Sequence, residues 1–156
     1  MSDIANRISP SDTKQSYIVI SVDAMGGDNG PSAIVAGMAN AAKTNSKVRF
    51  IINGDKTVLD QLILKRKILE NICEVRHTTD IISMDDKPTY AMRNGKESSM
   101  WSTIDAVKNK EAHAAVSCGN TGALMAISMI RLRKLPGVYR PAIAILWPSS
   151  NNLGFN

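Results

Sequence analysis

Two short glycine-bearing segments stand out for what their backbones could do. Gly26-Gly27-Asp28 follows a β-branched run and Gly119-Asn120-Thr121-Gly122 follows a small-residue run, and each leads into a helix-forming stretch. Glycine has no side chain in the way, so backbone N–H groups there can come close to an anion, and the first turn of a helix adds N–H groups without intrahelical partners. Between the two segments lie Arg93, Lys96, Ser98 and Ser99, cations and hydroxyl donors just ahead of a third helix start. Together they would suit a phosphate-sized anion, through hydrogen bonds and Coulomb attraction. Each feature also has a plainer reading: a tight turn using positive φ for the glycine pair, with Asp28 bonding the local backbone, and a solvated loop for Arg93 and Lys96. Two such junctions on one sheet edge favour the anion.

Asp23 and Asp28 need a separate account, because a carboxylate beside a phosphate repels it unless a proton or a cation lies between them. Pairing with Lys96 or Arg93, accepting the proton of a hydrogen phosphate, or serving only as turn residues would each resolve the conflict. The first or third is expected for Asp28, and Asp23 stays open, including a general-base role. His77 and His113 have no companion at ligand or triad spacing and are expected to be structural or surface residues. No Gly-x-Ser-x-Gly elbow, HExxH or P-loop pattern occurs, so neither an activated nucleophile nor a metal site is indicated.

The elements that must position these residues alternate. Strands are expected at Tyr17–Val22, Val48–Ile52, Cys73–His77, Ala114–Ser117 and Ala142–Trp147. Helices are expected after Pro31, with Ile34, Val35, Met38 and Ala42 on one face, and over Thr57–Leu69, with Val58, Leu62 and Leu69 inward. Asp80 to Lys96 reads as loop with at most a short helical piece. Ser98-Ser99 should cap a helix carrying Met100, Ile104 and Val107, and a last helix should run to Lys134. That helix is apolar almost all round from Ala123 to Ile130, so burial against a sheet or a partner is expected. Such alternation implies a mainly parallel sheet with helices on both faces, an α/β fold whose ligand crevice lies beyond the carboxyl ends of the strands.

At 156 residues with 44% hydrophobic side chains, one domain is the default, and 4% aromatics imply an aliphatic core. Met1 to Ser16 is polar, reads as an extended or disordered segment, and holds no signal-peptide core. The longest apolar run, such as Ala123 to Ile127, is far too short to span a membrane. Cys73 and Cys118 fit neither a redox pair nor a zinc pattern, and reduced, mostly buried thiols of a cytosolic protein are expected. The eight methionines read as core filling. A net charge of +5 favours acidic partners, of which nucleic acid ranks lowest, since the aromatics do not interleave with Lys and Arg.

Val22-Asp23-Ala24-Met25-Gly26-Gly27-Asp28, followed by Pro31, resembles the opening motif of the bacterial acyl-acyl carrier protein:phosphate acyltransferases of phospholipid synthesis. Lys96-Glu97-Ser98-Ser99-Met100 and Val116-Ser117-Cys118-Gly119-Asn120-Thr121-Gly122-Ala123-Leu124-Met125 resemble two further motifs of that family, in order, with Cys118 where alanine is expected. The resemblance covers about Tyr17 to Asn156, and members of the family continue well past that point. It implies a Rossmann-like three-layer α/β/α fold related to phosphotransacetylases and isocitrate-type dehydrogenases. It also implies attack of inorganic phosphate on the thioester of acylated carrier protein, giving acyl phosphate. Phosphate is then the nucleophile, which explains the missing catalytic serine or cysteine, and no cofactor is called for.

Carried over by motif, the expected catalytic residues are Asp23, Lys96 and Asn120. Gly26, Gly27, Asp28, Ser98, Ser99, Thr121 and Gly122, with Arg93 beside them, are expected to hold phosphate. Asn120 would donate to the thioester oxygen. Acyl carrier protein is acidic, so Arg131, Arg133 and Lys134 are candidate docking residues, as is Lys65-Arg66-Lys67; the plainer reading is that each cluster complements a helix C-terminus. A cytoplasmic homodimer that touches the inner membrane face peripherally completes the expectation. Its rivals are a phosphotransacetylase-like enzyme using acyl-coenzyme A, a nicotinamide-dependent dehydrogenase, weakened by the absent G-x-G-x-x-G, and a non-catalytic phosphate- or partner-binding fragment.

Overall fold

The computed structural model describes residues 17–139, 141–144, 146–149 and 152–155, the last two groups by their backbone. The segment expected to be extended at residues 1–16 lies outside the described residues. Strand β1 (Ile18–Asp23) alternates between two faces: Val19, Ser21 and Asp23 point one way, Ile18, Ile20 and Val22 the other. It is central to a four-stranded, all-parallel sheet with β2 (Val48–Gly54), β3 (Cys73–His77) and β4 (Ala114–Ser117), in the order β3-β2-β1-β4. The chain therefore builds outward from β1 to β3 and then returns to the other side of β1. That reversal makes the carboxyl ends of β1 and β4 a topological switch point, where α/β sheets open a crevice for ligands. The register sets Asp23 level with Asn53 on one side and Ser117 on the other.

Helix α1 (Gly30–Thr44) carries Pro31 in its first turn, where a missing N–H costs nothing, and buries Val35, Met38, Ala39 and Ala42 on the sheet. Helix α2 (Lys56–Leu64) is capped by Asp55, which accepts from the amides of Thr57 and Val58. This cap fixes the helix start, and Leu59 and Ile63 become the inward pair, while Val58 is exposed and Leu62 half-buried. The expected continuous helix to Leu69 breaks after Leu64, and Leu69 is buried from a separate 3-10 turn, Lys67–Leu69. Helix α3 (Pro88–Asn94) is the short helical piece expected in the long loop. Helix α4 (Ser99–Lys108) packs on the opposite sheet face from α1 and α2, against β1, β2 and β4. Its Ala106, with Ala112, meets Val19 and Ile51. Helices thus cover both faces, as in a three-layer Rossmann-like fold.

Helix α5 (Thr121–Leu132) corrects two expectations. It stops two residues before Lys134, where Arg133 takes a φ of 65°, and it buries only Ala123 and Ile127, against α3 and α4. Met125, Met129, Ile130 and Leu132 are exposed, as is Met84, so the methionines are not uniformly core filling. The expected fifth strand is displaced: residues 141–144 are not strand, and β5 (Leu146–Ser149) pairs antiparallel with β6 (Asn152–Phe155), apart from the parallel sheet. Cys73 and Cys118 are both free, but only Cys73 is partly buried, and Cys118 is exposed. Burial, with Glu74 adjacent, raises the Cys73 thiol to about 12. His77 and His113 are structural, each accepting a backbone N–H through Nδ1, from Lys56 and Val19 respectively. Among the described residues no helix is long and apolar enough to cross a membrane.

Candidate functional site

The two glycine loops meet. A Cβ on Gly26 would lie 2.9 Å from both Cα and N of Gly119 and 2.7 Å from Asp23 Oδ2, and one on Gly27, whose φ is +94°, would lie 2.8 Å from the Cys118 carbonyl oxygen. Nothing larger than hydrogen fits at either position without moving backbone. The glycines therefore allow the loops after β1 and β4 to touch, and the turn and the close approach are served by the same two residues. At this junction the first amides of α5, on Thr121 and Gly122, have no intrahelical partner, while the amide of Ala123 is accepted by Asn120 Oδ1 at 3.0 Å.

Asp23 holds the junction together. It is buried, and its Oδ1 accepts from the amides of Met25 and Gly26, both at 3.2 Å, and from Ser99 Oγ at 2.6 Å. Its Oδ2 accepts from Ser117 Oγ at 2.7 Å. Four donors from the β1 loop, the start of α4 and the end of β4 thus converge on one carboxyl group, which satisfies its oxygens in a buried position. Ser117 Oγ in turn accepts from the Gly119 amide at 3.0 Å, linking Asp23 to the second loop. Of the resolutions open for Asp23, the turn-residue one describes its bonds, with two serine hydroxyls added.

Asn120 is also fully engaged. Besides capping α5, its amide nitrogen donates toward the carbonyl oxygens of Ser83, Met84 and Asp86, at 3.1, 3.0 and 2.8 Å. An amide has only two N–H groups, so three acceptors share them, and Asn120 latches the 83–86 loop onto the start of α5. Ser98 is buried, caps α4 by accepting from the Trp101 amide, and donates to the Gly95 carbonyl at 2.5 Å. Ser99 is occupied by Asp23. In this arrangement both serines shape the site through the backbone they hold.

The cationic residues lie elsewhere. Lys96 lines a cavity of about 420 Å³ on the α4 side with Arg76, His77, Glu97 and Asp105. Arg93 lines a second, of about 410 Å³, with Asp85, Asp86, Lys87 and Tyr90. Asp28 is exposed and, among the described residues, pairs with neither cation. In the first cavity Arg76 binds Glu74 and Glu111; burial works against its charge, but those two hydrogen bonds outweigh it and hold its pKa above the usual guanidinium value. Arg131 forms a bidentate pair with Asp105, at 2.6 and 2.9 Å, which raises its pKa and neutralises one expected carrier-docking charge. Lys134 donates to the Tyr139 carbonyl, and Arg133 is exposed at the helix end.

Beside the loops lies a polar layer that the motifs do not reveal. Asn53 is fully buried and donates to Ser21 Oγ, the Val22 carbonyl and Thr103 Oγ1, while its Oδ1 accepts from Ser102 Oγ. This ties β1 and β2 to α4 beside Asp23. The available signal was polar residues two apart on otherwise apolar strands, Ser21 and Asp23 on β1, with Asn53 closing β2.

A parallel α/β sheet with helices on both faces and two touching glycine loops at its switch point is the architecture of a Rossmann-like α/β protein. Within that class, residues 18–155 match the family described as fatty acid synthesis protein, and the chain belongs to it. Its relatives include the phosphate acyltransferase of Jannaschia sp. strain CCS1, 62% identical over 138 residues, covering 88% of this chain and 38% of that protein. Those of Cereibacter sphaeroides strain ATCC 17025 and Ruegeria pomeroyi are 57% and 59% identical, over 98% and 89% of this chain and 42% and 38% of the relative. The chain thus spans well under half the length of these relatives.

Proposed function

We propose that this chain is the N-terminal part of an enzyme that moves a fatty acyl group from acyl carrier protein to inorganic phosphate. One observation carries the reading: the loops after β1 and β4 touch through Gly26 and Gly119 around the Asp23 carboxylate, with the open amides of α5 beside them. The names of the relatives, phosphate acyltransferase, agree with it. A phosphate oxygen attacks the thioester carbonyl carbon, the carbonyl oxygen takes the negative charge, and collapse breaks the C–S bond. The carrier thiolate leaves and takes up a proton, and acyl phosphate remains. Backbone amides of Gly27–Asp28 and Thr121–Gly122 hold phosphate and the developing oxyanion, where preorganised donors lower the barrier. Asp23, Ser99 and Ser117 position the loops; Asn120 positions α5 rather than donating to the thioester, and Lys96 and Arg93 contribute only their field.

In this reading the whole protein is a cytoplasmic homodimer that takes acyl chains near the inner membrane face. The uncovered apolar side of α5 supports a further contact surface, and Arg133 and Lys134, at the end of that helix, are the carrier-facing cations. The test incubates this chain, and a form extended to the length of its relatives, with acylated carrier protein and phosphate, trapping acyl phosphate as hydroxamate. Phosphate-dependent hydroxamate from the extended form is expected. Thiol release that does not depend on phosphate, or turnover of acyl-coenzyme A alone, would replace the reading with a thioesterase or the coenzyme A rival.

A further inference from the structure

An apolar cavity of about 320 Å³ runs along the α1 side of the sheet, between α1 and strands β1 and β4. One wall is Ile20, Val22 and Val116; the other is α1, where Ala33, Gly37 and Ala41 recur one turn apart with Ile34 and Met38 beside them. At the carboxyl ends of β1 and β4 the lining includes Asp23 and Cys118, whose backbones lead into the glycine loops, while the Asp23 carboxylate itself faces α4. Val116 is 46% exposed, an unusual state for a β-branched residue of a parallel strand. Gly37 sits in mid-helix, where glycine is unfavourable relative to alanine, yet an added Cβ there would meet nothing within 4 Å. No packing among the described residues requires that glycine. Among the described residues the space over it is empty.

We propose that this groove takes the aliphatic chain of the acyl donor, with the reacting carbonyl at the loop junction. The proposal rests on the acyl-transfer reading and deepens it by placing the chain. Its basis is continuity: the groove runs to the strand ends from which both glycine loops leave, so a ligand with an anionic or carbonyl head and a polymethylene tail fits head to loops and tail along α1. A volume of about 320 Å³ lies at the small end of ligand pockets, which run from about 300 Å³. If a methylene fills about the 30 Å³ that a water occupies in the liquid, roughly ten chain units fit.

The test titrates this chain with linear alkylphosphonates of increasing length, by calorimetry below their micelle concentrations, with orthophosphate as the tailless control. Affinity should rise about fourfold per methylene until the groove is full. Gly37→Phe, which fills the groove from its open wall, should flatten that series while leaving orthophosphate affinity unchanged; Ala41→Phe, one turn further on, serves if the first variant does not fold. Affinity independent of chain length, or an unchanged length dependence in the folded variant, would overturn the proposal. Length-dependent binding without any orthophosphate binding would instead remove the phosphate site and leave the groove.

Discussion

The Asn120 side chain does two separable jobs, and two substitutions separate them. Its oxygen caps α5 by accepting the Ala123 amide; its nitrogen latches the 83–86 loop by donating toward three carbonyls. Aspartate keeps a good capping oxygen but has no donor, and it sets a carboxylate against three carbonyl oxygens. Alanine removes both functions. The lost cap is worth about 1 kcal/mol. The two N–H donors contribute about 1 kcal/mol each. Asn120→Asp should therefore destabilise by roughly 2 kcal/mol and Asn120→Ala by roughly 3 kcal/mol. For a chain of this size that lowers Tm by about 4–8 °C and 6–12 °C. Calorimetry gives the totals, and amide exchange at pH 7 assigns them. Ser83 and Asp86 amides, which bond within the loop, should lose protection in both variants, and the Ala123 amide only in the alanine one. An aspartate variant with wild-type loop protection would refute the latch.

Asp23→Asn should cost about 2 kcal/mol in chemical denaturation, since four donors face the carboxylate and an amide must turn its own N–H groups toward some of them. Iodoacetamide at pH 8 should modify the exposed Cys118 and spare Cys73, read by mass spectrometry of the tryptic peptides. Because the folded Cys73 thiol sits at about 12, above its unfolded value, its contribution to stability is complete below the unfolded pKa and is lost as pH rises toward 12; Cys73→Ala should flatten that alkaline limb. Charge reversal at Arg133 and Lys134 should weaken carrier-protein affinity at low salt and leave it unchanged at high salt, whereas unchanged affinity at low salt would remove the docking site.

Much of the scaffold was legible because the strands are short β-branched or small-residue runs closed by turn residues: β3 and β4 fall on Cys73–His77 and Ala114–Ser117 as expected. Helix phase was harder. The Asp55 cap and the break after Leu64 turned Leu59 and Ile63 inward, kept Leu62 half-buried against the core and left Val58 exposed, a choice that apolar periodicity alone leaves ambiguous in a helix of nine residues. The continuous apolarity of α5 predicts burial all round, but only Ala123 and Ile127 are buried among the described residues, because helix apolarity does not say which side meets α3 and α4. The glycine loops and Asp23 were visible as motifs; their bonding was not, because Ser99 and Ser117 reach Asp23 from 76 and 94 residues away. Lys96 and Arg93 illustrate the converse, since neighbours in sequence to the α4 start face other cavities once folded.

Orthophosphate titration followed through backbone amide chemical shifts tests the central claim most directly. The account predicts saturable changes confined to Gly26–Asp28 and Gly119–Gly122, abolished by Gly26→Ala, whose methyl would collide with Gly119 backbone. Shifts that centre on Lys96 and Arg76 instead, or an orthophosphate response that Gly26→Ala leaves intact, would contradict it.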